Sequence, residues 1–124
     1  MVLLVGLLAC GRPLSLYEKI EVYKEIPTLL IINHGLSSIR VYADNGRYIL
    51  AAVPPGSSRC VVLPYANKNY TLSVHVSAEG DYETPELFVE RTGLGNSWTW
   101  LIETNNMRYE VLNIKPDTKH KCIP

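Results

Sequence analysis

Residues 28–64, TLLIINHGLSSIRVYADNGRYILAAVPPGSSRCVVLP, decide the fold. They read as four short strands separated by strong turn signals. Residues 28–33 form a continuous apolar run, too short for a core helix and closed by Asn33-His34-Gly35, as expected of a central strand. Residues 39–43 alternate, with Ile39, Val41 and Ala43 on one face and Arg40 and Tyr42 on the other. Asp44-Asn45-Gly46 then supplies residues that tolerate positive φ, the chemistry of a tight hairpin. Residues 47–53 make the partner strand, Pro54-Pro55-Gly56 stops it, and residues 59–63 form the next strand, closed by Pro64.

Strand signals continue at the same spacing on the C-terminal side. In residues 70–77, Tyr70, Leu72, Val74 and Val76 face one way and Thr71, Ser73, His75 and Ser77 the other. A one-residue slip would turn that apolar set to water, so the register is well specified. Residues 78–86 read as a polar loop, 87–90 as a short strand and 92–96 as a turn. Trp98, Trp100 and Ile102 alternate on one face of the following strand. Residues 108–114 make the last strand, and a polar tail begins at Lys115. About seven or eight strands at spacings of roughly eight to twelve residues predict an all-β antiparallel sandwich over 28–114.

Toward the N-terminus the pattern weakens. Residues 11–27 predict a tether with a short edge strand near 19–25. Leu16, Ile20 and Tyr23 also fit helical spacing. Residues 1–10, MVLLVGLLAC, are apolar throughout. Ten residues give about 15 Å of helix, half the thickness of a bilayer core, so a signal-type segment fits better than a spanning helix. Leu7-Leu8-Ala9-Cys10-Gly11 resembles a bacterial lipobox, which would make Cys10 the lipidated anchor. No basic segment precedes the run, and Leu8 is larger than the residue usual at that place. A buried N-terminal strand with a core cysteine is the competing reading.

The 124 residues suffice for one domain with a real core, and 12 acidic residues balance 12 basic ones. Zero net charge gives no steering toward nucleic acid or an anionic surface. Eight Tyr and many Val and Ile suit strands.

The order of these features is similar to that in small uncharacterised bacterial lipoproteins with immunoglobulin-like or transthyretin-like β-sandwiches. The features are the lipobox, a strand ending in Asn33, Val41-Tyr42, Gly46-Arg47, Val53-Pro54-Pro55-Gly56, Leu63-Pro64, the 70–77 strand, Thr84-Pro85 with Phe88-Val89, and Trp98-Thr99-Trp100. The resemblance covers residues 28–114 and implies a fold and a cell-envelope location, periplasmic or on a membrane's outer face. It brings no catalytic or ligand residues.

Chemistry-bearing residues are few. With Cys10 acylated, Cys60 and Cys122 remain as an even pair, which export would allow to form a disulfide; a free buried Cys60 with a frayed Cys122 is the rival. His34, His75 and His120 lack metal-ligand spacing, and no cofactor motif is present. Carboxylates at Glu79, Asp81, Glu83 and Glu86 read as a solvated loop before a calcium site. No GxSxG element occurs, so a hydrolase ranks last. Trp98 and Trp100, with Tyr109, form either core or an exposed contact face. The expectation is a non-catalytic, lipid-anchored module, an accessory subunit docking on a larger membrane protein complex. The alternative is a carbohydrate or small-ligand binder using the Trp98/Trp100 face.

Overall fold

A computed structural model describes residues 13–76, 80–84, 86–105, 108–110, 114–117 and 119–124, with side chains of 104–105 and 108–110 left aside. The expectation for Cys10 therefore lies outside the described residues. The first element is a helix, α1 (Leu16–Tyr23), not the edge strand expected near 19–25. Its start is written in the sequence Ser15-Leu16-Tyr17-Glu18. The Glu18 backbone N–H donates to Ser15 Oγ at 3.2 Å, and the Ser15 N–H donates to Glu18 Oε1 at 2.9 Å. This reciprocal capping satisfies two donors that a helix start otherwise leaves open.

The first strand, β1 (Thr28–Asn33), is central, paired on both sides, as the apolar run predicts. The strands that follow are β2 (Ile39–Ala43), β3 (Tyr48–Val53), β4 (Ser58–Val62), β5 (Lys68–Tyr70), β6 (Leu72–Val76), β7 (Gly80–Glu83), β8 (Leu87–Val89), β9 (Ser97–Asn105), β10 (Arg108–Glu110) and β11 (Ile114–Pro116). The described residues thus form more strands than the seven or eight expected. They make a five-stranded sheet in the order β10-β9-β1-β4 with β11 also on β9, a four-stranded sheet β3-β2-β6-β7, and a β5-β8 pair.

Two pairings depart from the sequence reading. β1 runs parallel to β9, with Thr28 opposite Ser97 and Asn33 opposite Ile102, although an antiparallel sandwich was expected. Parallel neighbours need a long connection, and nearly the whole domain intervenes here. Residues 80–83, read as part of a polar loop, form edge strand β7 on β6. Its charged Asp81 and Glu83 project to solvent, which also discourages pairing with a further strand.

The hairpin chemistry behaves as the sequence predicts. Asp44, Asn45 and Gly46 all adopt positive φ between β2 and β3, and Gly56 at +75° completes the turn after Pro54-Pro55. Period-two alternation then sorts the side chains. Ile39, Val41 and Ala43 of β2, Val53 of β3, and Leu72, Val74 and Val76 of β6 are buried on one side of their sheet. Leu29 and Ile31 of β1 and Trp100 and Ile102 of β9 are buried on one side of theirs, and all join a single sandwich-like core.

Buried polar groups hold the connections at one end of this core. Asn33 is completely buried; its Nδ2 donates to Ser37 O at 2.9 Å and Val53 O at 3.0 Å, and its Oδ1 accepts from the Gly35 N–H. One amide thereby ties β1, the β1–β2 loop and the end of β3. At the other end the Tyr70 hydroxyl donates to Tyr65 O at 2.9 Å and accepts from the Tyr65 N–H at 2.6 Å.

Candidate functional site

The outward side of β3-β2-β6-β7 carries an open groove of about 570 Å³. The sheet register builds its floor in two rows. Arg40 lies opposite His75, and His75 opposite Asp81; Tyr42 lies opposite Ser73, and Ser73 opposite Glu83. Because inward positions of these strands are filled by Val and Leu, alternation forces the intervening polar residues onto this face. Thr71, Asn45 and Gly46 complete one side, and the positive φ of Gly46 (+82°) shapes the hairpin that borders it.

Charge runs across the floor, from Arg40 on β2 to the carboxylates of Asp81 and Glu83 on β7. His75 Nδ1 sits 2.6 Å from Asp81 Oδ1, which orients the imidazole. Ser73 is two residues from His75 along one strand, about 7 Å, longer than the hydrogen bond through which a base activates a hydroxyl. Donors, acceptors and one aromatic ring on an open floor suit reversible contact with a polar ligand. His75 and Ser73 are legible in the sequence as a polar strand face, and Asp81 and Glu83 as part of a polar loop; their assembly is not, because β7 pairing is set by non-local contacts.

The opposite outward face, on β1, β4 and β9, is covered by the chain's own tail. Cys60 and Cys122 form a disulfide with a Cα–Cα separation of 5.8 Å. Cys60, Leu30 and Thr99 share one row of the register, so the bridge and Asp117 grip the two ends of that row. Thr99 Oγ1 donates to Asp117 Oδ2 at 3.0 Å, and Thr28 Oγ1 to the Cys122 carbonyl at 3.0 Å. The backbone N–H of His120, with help from Thr99 and the Lys119 N–H, holds the Asp117 carboxyl below the usual carboxylate range. Lys121 Nζ donates to Ile26 O at 2.8 Å, to Asn96 O at 3.1 Å and to Asn96 Oδ1. Burial pushes its pKa down to about 8.

The tryptophans do not form an exposed face. Trp100 is fully buried, and its Nε1–H has no acceptor among the described residues. Trp98 is half-buried against the core and donates to Gly95 O at 3.0 Å. Packing of the inner face, the competing expectation, is what the structure contains. Tyr109 lies on β10, and its side chain is outside the described residues. Among the described residues no group of three His, Cys, Asp or Glu is placed to hold a metal ion, and Glu79 of the acidic segment lies outside them. No helix of the described residues is long and apolar enough to cross a membrane.

No protein-family model matches this chain, and no curated protein matches its sequence.

Proposed function

We propose that this chain is an exported, lipid-anchored β-sandwich that works as a non-catalytic accessory module on a larger membrane protein complex of the bacterial envelope. The observation that carries it is the Cys60–Cys122 bridge. Stable disulfides belong to oxidising compartments, and this pairing leaves Cys10, at the end of the apolar leader, as the one cysteine for attachment. Within that reading the sandwich is of the immunoglobulin-like kind. Supporting this, the Tyr70 hydroxyl reaches back five residues to the Tyr65 backbone, much as a tyrosine corner does. The disulfide departs from the antibody pattern, since it ties a tail to a strand and does not join two facing sheets.

Intact mass of the protein isolated from a bacterial envelope tests the anchor. Loss of residues 1–9 with acyl mass on Cys10 is the expected species, and an unmodified Met1 chain would refute it. Isolation from detergent-solubilised membranes tests the module role, and a stoichiometric partner is expected. A lone monomer would count against it.

The groove favours a second reading, binding of a carbohydrate or other small polar ligand. Its floor of Arg40, Tyr42, Ser73, His75, Asp81 and Glu83 presents donors, acceptors and a ring to neutral hydroxyl-rich molecules. Glycan-array binding that Tyr42→Ala and Arg40→Ala both abolish would favour this reading.

A further inference from the structure

The end of the sandwich through which the chain enters from α1 exposes a concentration of apolar side chains. On α1 itself, Leu16, Tyr17 and Ile20 are 69%, 71% and 48% exposed, and no residue of the helix is buried. A helix packed on a globular body turns its apolar stripe inward, and this one turns it outward. Val62 is exposed opposite Thr28, the first residue of β1. Tyr65 is exposed two residues beyond Leu63, whose N–H donates to Pro27 O. Leu94 is exposed in the short turn that enters β9 at Ser97, which is also opposite Thr28. Six of the nine exposed large apolar residues among the described residues thus share the end where β1 begins, whereas Leu36 sits at the other end, beside Asn33.

We infer that this end is a lipid-contacting surface, in which α1 lies in the headgroup region with Leu16, Tyr17 and Ile20 against the acyl chains. The occupant follows from chain geometry. The apolar run of residues 1–10 ends five residues before Ser15, the N-cap of α1. Five residues span at most about 18 Å, so an anchor at Cys10 leaves α1 no farther than that from the bilayer surface. The chain's zero net charge makes the attraction apolar, not electrostatic. The inference rests on the anchored reading, which fixes the side from which the membrane approaches.

Flotation of the full chain carrying Cys10→Ser on phosphatidylcholine vesicles tests it. Adding Leu16→Glu and Ile20→Glu is expected to lower the partition coefficient at least about tenfold. Leu36→Glu at the far end should leave it unchanged, and about 0.5 M salt should not release the protein. Non-reducing mass and far-UV circular dichroism verify that each variant keeps its bridge and fold. A second readout needs no destabilising change: in Tyr17→Trp protein, brominated phosphatidylcholine should quench the added indole beyond the parent's background. Equal partition of the double-glutamate variant and its parent, or no added quenching, would overturn the surface. So would loss of a co-purifying protein with vesicle binding intact, which would assign the end to a protein partner. Absence of acyl mass on Cys10 would refute the anchor alone, and the vesicle comparison would still decide the surface.

Discussion

The two outward faces of this molecule are made from the same material and end differently. On β3-β2-β6-β7 the solvent side carries Arg40, His75, Asp81, Tyr42, Ser73 and Glu83 and stays open as a groove. On β1, β4 and β9 the solvent side includes Leu30, Thr28 and Thr99, and Asp117 and Cys122 of the tail are bound to it. The difference follows from strand composition. β2 and β6 alternate strictly, so their outer side can face water without a cover. β1 is apolar on both sides, and its outer side needs one. The tail provides it, held by one covalent bond and by hydrogen bonds to Thr28, Thr99, Ile26 and Asn96. One face is therefore a candidate for contact with other molecules, and the other is spent on stability.

Removing the staple breaks this comparison most. Cys122→Ser paired with Cys60→Ser frees a loop closed across a sequence separation of 62 residues and should cost about 4 kcal/mol in urea unfolding. It should also let amides of β1 and β4 exchange faster while those of β2 and β6 keep their order of protection. Next comes the tie between the sheets. Asn33→Ala leaves the Ser37 and Val53 carbonyls and the Gly35 N–H without their partner and should cost about 2–3 kcal/mol, read from the same unfolding curves.

A smaller effect appears with pH and belongs to the covered face. Lys121 holds its proton less tightly when folded, with a pKa of about 8, than an unfolded lysine does near 10.4. Between those values the unfolded state binds more protons, so stability should rise as pH increases from about 8 to about 10. Unfolding of oxidised protein at the two pH values checks this, and Lys121→Met should flatten the rise. Burial keeps the Tyr70 hydroxyl protonated above its ordinary range, so its titration opposes the trend only above that window. The smallest stability effects are expected in the groove. Arg40→Ala and His75→Ala should each change stability by less than about 0.5 kcal/mol, because both residues sit on the open face. A much larger loss from either would mean that the groove is structural and that the contrast between the faces is wrong.

Much of the fold was legible before any coordinates. The limits of β1 and β2 coincide with the runs read in the sequence, because apolar patterning and the Asp44-Asn45-Gly46 and Pro54-Pro55-Gly56 turns act within a few residues. The inward set Tyr70, Leu72, Val74 and Val76 was equally plain from alternation, and all four are buried. α1 replaces the edge strand expected near 19–25: the local Ser15–Glu18 capping box and the helical spacing of Leu16, Ile20 and Tyr23 outweigh the imperfect alternation of that segment. For the site, residues 73, 75, 81 and 83 were visible singly. Their assembly in one groove was not, because residues 78–86 carry polar composition without the apolar alternation that marks a strand.

By itself, then, the sequence determined the elements that depend on local energetics: which residues turn, which alternate, and how far each main strand runs. It also raised the Cys60–Cys122 pairing, by parity of three cysteines and the lipobox-like context of Cys10. Tertiary structure alone decided what depends on residues far apart meeting. It set β9 parallel to β1, brought β7 onto β6, buried Trp100 and laid the tail across Thr28 and Thr99. Backbone φ preferences and a period of two act over a handful of residues and leave a mark in any short window. Contacts across sixty residues are selected by the burial of whole faces, which no single window contains.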